Sequence, residues 1–350
     1  MNDKITLAHG AGGERMDAFI KQSILRHFRT DDVCEVSLDM LDDSAVIDDI
    51  VFSTDSHTVH PLIFPGGDIG SLAVSGTVND ISVLGATPLA LSAGFIIEEG
   101  FSLKTFDTII ENMGLCAKNA HVPIITGDTK VVEKGAIQEF MINTSGIGKR
   151  STILDENLIE VRRFRSFEKR WLLDSCLRPG DKIIISGNIG EHGIALLSFR
   201  EGYGFETQVT SDVAPINDLM KHALQVGGLV SAKDPTRGGL ANTVNEFSEK
   251  SRTGIMLYED AIPIPQGVQA ACDMLGLDPL QIGNEGKVVI GVVKEKADEV
   301  LRAIRRHPLG KHAAIIGDVT DRIEGVVLQT SVGGHRILQK PIGDPIPRIC

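Results

Sequence analysis

Carboxylates recur in this sequence at the ends of apolar segments. Asp42 and Asp43 precede Ser44, Asp55 closes a strand-like run, Asp80 follows Asn79 inside a helical pattern, and Asp128 follows Gly127. Any one of them alone reads more simply as a helix cap or turn residue. As a set they fit a different chemistry. Several aspartates converging on a groove repel one another unless a cation sits between them. Mg²⁺ takes oxygen ligands, one or two carboxylates per ion with phosphate oxygens and water completing the shell. Glycine clusters accompany the acids at His9–Gly13, Pro65–Asp68 and Thr236–Gly239. Glycine lets backbone N–H groups approach a phosphate closely, although ordinary turns use the same clusters. His9 and Arg237 could touch phosphate from two of them. A Walker-type phosphate loop is missing, as are the kinase catalytic-loop and magnesium-loop motifs, so a nucleotide site here is of another design.

The sharpest single feature is Cys350, carried on a segment with prolines at 341, 345 and 347. Prolines remove backbone donors and favour extended geometry, so residues 339–350 read as a flexible arm ending in a thiol and not as a core element. Prenylation is excluded, because that motif places its cysteine four residues from the end. A thiol is nucleophilic as the thiolate, with an ordinary pKa of about 8.5, and Arg348 partly offsets the nearby α-carboxylate. An incidental cysteine remains the other reading of this position.

These groups need a scaffold. The first part of the chain alternates strand-like and helix-like segments. Val46–Ser53 reads as a strand, Ser71–Leu84 as a helix ended by Gly85, and Leu103–Ala120 as a helix with apolar residues at steps of three and four. Pro123–Thr126 and Gln138–Ile147 read as strands. Lys149–Arg178 carries Arg150, Arg162, Arg163, Arg165, Lys169 and Arg170 between its basic ends, in an otherwise acidic protein. It reads as a basic junction, over 151–178, between a first domain (1–150) and a second (179–338). The second part repeats the α/β rhythm. Lys182–Ser186, Lys287–Val293 and Ala313–Val319 are strands; Ile194–Glu201, Ile216–Val226 and Lys296–Arg306 are helices; another helix starts after Gly239.

Composition bounds the function. With 350 residues, 42% hydrophobic and 23% charged, the chain suits a two-domain globular protein and not a disordered one. The apolar stretch from Pro88 to Ile97 is too short to span a bilayer. Five cysteines without CxxC spacing argue against a disulfide framework and fit a cytoplasmic setting. A net charge of −12 repels nucleic acid, and an anionic nucleotide would need Mg²⁺ as intermediary.

Ordered motifs along nearly the whole chain then meet a family. Leu41–Val46, Ser53–Ser56, Phe64–Gly70, Gly76–Asp80, Gly94–Gly100, Thr126–Val132, Gly190–Gly193, Asp234–Gly239, Gly283–Gly286 and the terminal Pro347-Arg-Ile-Cys350 together resemble the HypE family of hydrogenase maturation proteins. The wider superfamily includes aminoimidazole ribonucleotide synthetase, selenophosphate synthetase and thiamine-monophosphate kinase. The resemblance implies an α/β (α+β), two-domain synthetase-like fold. Its amino-terminal mixed-sheet domain pairs with a second copy to form a barrel, and its carboxy-terminal domain is α/β. Asp42, Asp43, Asp55, Asp80 and Asp128 fall on Mg-ATP positions, beside Asn79, Thr129 and Asn143. Asp43, Asp55, Asp80 and Asp128 are the metal ligands so implied. Cys350 matches the acceptor thiol, and Glu285 or Lys130 the base.

The implied reaction is ATP-dependent dehydration of a carbamoyl group on Cys350 to a thiocyanate. The carbamoyltransferase HypF supplies the carbamoyl, and iron held by a HypC–HypD complex receives the cyanide. Small-molecule phosphotransfer and a non-catalytic iron or cyanide carrier are the competing readings. Selenophosphate synthesis is disfavoured, because the Gly10–Gly13 loop lacks a cysteine. Two departures stand out: the junction is longer and more basic than the family pattern, and Pro235 replaces an expected alanine.

Overall fold

The computed structural model describes residues 4–28, 33–201, 209–343, 346 and 348–350. A short helix α1 (Glu14–Phe19) precedes a hairpin of β1 (Ala45–Ile47) and β2 (Ile50–His57). Asp48 and Asp49, expected inside one continuous strand, instead form its turn. Both have positive φ, 50° and 61°, the backbone a two-residue hairpin requires. A small ribbon, β3 (Ile63–Phe64) with β4 (Gly67–Asp68), then delivers the chain to α2 (Ile69–Val83). Asp68 caps that helix, its carboxylate accepting the Ser71 N–H at 2.8 Å. Gly85, at φ +85°, follows its end. The apolar stretch at 88–97 becomes β5 (Thr87–Glu98), and α3 (Leu103–Ala120) occupies the expected span. Strands β6 (Ile124–Val132) and β7 (Phe140–Lys149) complete a mixed sheet of order β1-β2-β7-β5-β6, in which only the β5–β6 pair is parallel.

Helices α2 and α3 cover one face of this sheet. The opposite face is open: Phe52 lies opposite Ile147 on neighbouring strands, exposed at 46% and 39%. Edge strand β6 shows Ile125 and Val131 at 65% and 67%.

The second half contains α4 (Thr152–Phe164), β8 (Lys182–Ile185), α5 (Glu191–Glu201), α6 (Asn217–Val226), β9 (Leu229–Lys233), α7 (Gly239–Ser251), β10 (Gly254–Tyr258), α8 (Gln266–Leu275), β11 (Val289–Val292), α9 (Ala297–Arg306), β12 (Ala314–Thr320), β13 (Val326–Gln329) and β14 (His335–Ile337). Its sheet runs β14-β13-β10-β12-β8-β11-β9. β8, β9 and β11 are buried on both faces, which accounts for the Ile183–Ile185 run of β8 and the Val-Ile-Gly-Val of β11.

Two expectations are corrected. Residues 151–178 are no linker. Leu154, Leu158 and Val161 of α4 and the following Trp171 are buried in a cluster that runs from Val36, Val46, Val51 and Ile81 of the first half to Ile183–Ile185 of the second. Neighbouring acids neutralise several of the basic residues. Arg165 forks onto Asp181 at 2.6 and 2.8 Å, and Arg170 bridges Glu35 and Asp49 at 2.5 and 2.6 Å. The tail, too, is seated in the core and does not stand outside it: Ile346 and Ile349 are 1% exposed and pack in a cluster with Ile194, Val268 and Ile282.

Candidate active site

Several of the sequence-derived site residues meet around one cavity of about 280 Å³. Asp42 and Asp43 reach it from the segment before β1, Asp55 from β2 and Asp80 from α2. Asp234 enters just after β9, Glu285 from the Gly283–Gly286 turn, and Cys350 from the tail. Gly76 gives them room. A Cβ there would sit 3.1 Å from the His57 ring and 3.3 Å from the Asp55 carboxylate. The Ser53 hydroxyl donates to Asp80 at 2.6 Å and fixes its carboxylate.

Carboxylate oxygens of Asp43, Asp80 and Asp234 lie within 4.8 Å of one another. Burial, reinforced by Asp55, Asp234 and Asp43, pushes the Asp80 carboxyl well above the ordinary range. Burial and then Asp43 do the same to Asp234, whose buried Oδ2 has no hydrogen-bond partner. Asp43 is raised to about 6, where burial outweighs the pull of Lys233. An all-oxygen donor set with an unsatisfied buried oxygen fits a hard divalent cation such as Mg²⁺.

Behind this cluster lies a charge network that sequence reasoning missed. Lys233, at the end of β9, pairs with Asp43, with Asp174 at 3.3 Å and with Glu246 at 3.3 Å. Lys250 on α7 pairs with Asp174 at 2.6 Å and Asp42 at 3.5 Å. Although burial opposes it, the two lysines hold Asp174 below the usual carboxylate range. Asp42 accepts the Asp174 N–H at 3.2 Å and is raised to about 7 by burial and by Asp174. It faces the lysine network as much as the cavity. Lys233 had a visible signal, a charge closing the apolar run 229–232 next to Asp234. Asp174, in the junction, had none.

Glu285 is buried, and its Oε1 has no hydrogen-bond partner. Burial, Asp234, Asp212 and Asp55 raise its carboxyl well above the ordinary value, against the pull of Arg237. Asn79 is a fastener: its amide donates to the Ala214 and Glu285 carbonyls, both at 3.2 Å, and accepts the Ile216 N–H at 2.8 Å. It thereby ties α2 to the Glu285 turn. Pro235 is accommodated because that turn uses its carbonyl, which accepts the Asn284 N–H at 3.0 Å.

The structure does not bring Asp128, Thr129 and Lys130 into this cavity. They stand exposed on edge strand β6, with Asp128 and Lys130 at 3.7 Å from each other. Asn143 lies on the open sheet face, donating to the Asp55 carbonyl at 2.7 Å and the Ser56 hydroxyl at 3.0 Å. His9 is bonded to Thr6, while Arg237 lines the cavity and is held above its ordinary value chiefly by Cys350.

Some glycines of the quoted motifs have a use other than cradling phosphate. A Cβ on Gly283 would come within 2.3 Å of Ile349 Cδ1, and one on Gly193 within 3.2 Å of Ile346 Cδ1. They leave room for the tail. Between the two isoleucines Arg348 has positive φ, 59°, so the proline spacing carried no signal of their shared burial.

Comparison with known proteins agrees with this layout. Residues 41–149 match the family model described as AIR synthase related protein, N-terminal domain, and residues 178–329 match its C-terminal domain. The carbamoyl dehydratase HypE of Rhizobium leguminosarum bv. viciae is 46% identical over 352 residues, covering 100% of this chain and 96% of the relative. A crystal structure of a HypE–HypF complex matches with a TM-score of 0.82 at 41% identity, covering 92% of this chain and 99% of that one. HypE crystallised in complex with ATP matches with a TM-score of 0.78 at 40% identity, covering 99% of this chain and all of that one.

Proposed function

This chain belongs to the HypE family of carbamoyl dehydratases, and from that premise we propose how its own residues carry out the reaction. It is a hydrogenase-maturation enzyme that uses ATP to dehydrate a carbamoyl group, with HypF as a partner. The acceptor in this proposal is the Cys350 sulfur. The observation that carries it is the meeting of Cys350, the aspartate cluster and Glu285 around one cavity.

HypF transfers a carbamoyl to the sulfur, giving S–C(=O)–NH₂. The tail docks and presents the carbamoyl oxygen to ATP. That oxygen attacks the γ-phosphorus; ADP leaves, and the oxygen becomes part of a phosphate leaving group. Loss of that phosphate and of both N–H protons leaves S–C≡N. The balance is thiocarbamate plus ATP giving thiocyanate, ADP, inorganic phosphate and one proton. Glu285 is the base: unpaired at Oε1 and buried at the same cavity, it takes an amide proton once it is itself ionised. Arg237 faces the anionic groups that gather there.

Asp43, Asp80 and Asp234, with Asp55 beside them, would hold Mg²⁺. The ion would offset charge on the triphosphate. Lys233 pairs with Asp43 at the edge of this cluster.

We assign the open sheet face and β6 to a homodimer. Support comes from the exposed Phe52, Ile147, Ile125 and Val131 and from the stranding of Asp128, Thr129 and Lys130 away from the cavity of their own protomer. A second copy packed there would place these three near the partner's nucleotide. The nitrile passes to iron on a HypC–HypD complex. Among the described residues no helix is long and apolar enough to cross a membrane.

Mass spectrometry of the carboxy-terminal peptide tests the scheme, after incubation with carbamoyl donor, HypF and ATP. Gain of one carbamoyl followed by ATP-dependent loss of one water is expected. The same change appearing on a Cys350→Ala chain would overturn it.

A further inference from the structure

The docked tail is held through three consecutive main-chain oxygens. That of Arg348 accepts the His60 N–H at 3.3 Å and the Arg200 guanidinium at 3.1 Å, and that of Cys350 accepts the Thr58 N–H at 3.1 Å. Between them, the Ile349 carbonyl lies 2.7 Å from Nε2 of His192, a ring on α5 with no exposed surface. The reaction scheme has no use for this histidine.

Its chemistry is settled by its partners. A carbonyl oxygen can only accept, so Nε2 carries the proton. Nδ1 then accepts from the Ser211 hydroxyl, 2.7 Å away. Ser211 is itself fixed: its N–H donates to the Pro65 carbonyl at 2.7 Å, and its Oγ accepts the Val213 N–H at 3.1 Å. The Phe64 ring meets the imidazole edge-on, centroids 5.4 Å apart. Burial keeps the imidazole below its ordinary pKa and so neutral. The Ser211 and Phe64 contacts that hold the ring come from outside the tail.

We infer that His192 is a positioning residue for the terminal cysteine: its Nε2–H receives the Ile349 carbonyl and fixes how far the Cys350 sulfur enters the cavity, while Ser211 holds the tautomer that makes this contact possible. The inference rests on the reading of Cys350 as the acceptor thiol. Withdrawal of the tail leaves a buried N–H without its acceptor, so the docked arm is favoured until a partner engages it.

Carboxypeptidase trimming of the full-length protein, followed by intact mass, tests this without nucleotide or carbamoyl donor. When docking is fast relative to cleavage, trimming reports the population of released tail. His192→Ala should be trimmed about ten-fold faster than the parent, the effect of losing one hydrogen bond to a buried partner. His192→Gln keeps an amide donor near the Nε2 position and should recover most of the protection. If His192→Ala fails to fold, Ser211→Ala takes its place, with trimming about three-fold faster on the loss of the partner that fixes the ring. A folded His192→Ala trimmed within two-fold of the parent, a glutamine variant no better protected than the alanine one, or an unaltered Ser211→Ala would each overturn the inference. A parent chain that forms no thiocyanate, yet whose trimming depends on His192, would refute only the catalytic reading.

Discussion

Replacing Asp234 with asparagine should stabilise the cation-free protein while weakening its Mg-nucleotide binding, a pair of opposite effects that a merely structural aspartate would not produce. The carboxylate oxygens of Asp43, Asp80 and Asp234 lie within 4.8 Å of one another. Two unit charges at that distance repel by about 3.5 kcal/mol at an effective dielectric of ~20. Lys233 compensates Asp43 only in part: Asp234 still feels Asp43 and then Asp55, and Asp80 feels Asp55 and then Asp234. Proton uptake relieves part of this repulsion, so a net gain of about 1–3 kcal/mol at pH 8 is expected for Asp234→Asn. For a chain this long that corresponds to a rise of roughly a few degrees in Tm. The pH dependence has a definite sign. Asp234 and Asp80 bind protons more tightly folded than at their ordinary value of 3.8, so parent stability is fully present below that value and is lost as pH rises through the folded values. The advantage of the variant should therefore grow from pH 5 to pH 8 and vanish near pH 4. Thermal unfolding across that range, with and without Mg-ATP, is the assay. A variant less stable than the parent at pH 8 without cation, or one with an undiminished Mg-ATP shift, would refute the cation-site reasoning.

Glu285→Gln should retain nucleotide binding and carbamoylation but dehydrate at under about a hundredth of the parent rate, the range expected for a lost general base; single-turnover phosphate release above a tenth of the parent rate would rule out that role. Because the Glu285 carboxyl is raised and must ionise to act, the parent rate should climb with pH above the ordinary carboxylate range. Gly283→Ala sets a Cβ 2.3 Å from Ile349 Cδ1 and 2.9 Å from the Thr236 carbonyl, an overpacking of about 1–3 kcal/mol that should expel the tail. Hydrogen exchange at the Thr58 and His60 amides should then accelerate, and unchanged exchange would count against the docked geometry. Ile125→Lys on β6 should shift sedimentation toward the monomer, whereas an unaffected dimer would place the interface elsewhere.

Where spacing alone determines structure, the sequence was readable. Helix α3 occupies its anticipated span because its apolar residues recur at steps of three and four and Ser102 caps it, accepting the Thr105 N–H at 3.3 Å. Asp42, Asp43, Asp55, Asp80, Glu285 and Cys350 were recognisable as motif residues, and the fold gathers them. The network behind them was not. Lys233 and Asp43 are 190 residues apart, and such long-range pairing leaves no periodic trace. The turn at Asp48–Asp49 depends on positive φ at two aspartates, which composition does not reveal. The prolines of the tail spoke for extension and concealed its burial, since extended chain packs as readily as it projects.

The seam at 151–178 limits how this protein can be recombined with its relatives. A chimera crossed over at residue 150 would leave Arg170 and Trp171 in one parent and their mates in the other. Arg170 bridges Glu35 and Asp49, and the Trp171 indole N–H donates to Glu35 at 3.1 Å. Hybrids should lose stability when these four positions do not travel together, so the segment that looks most like a spacer is tied to both halves of the scaffold.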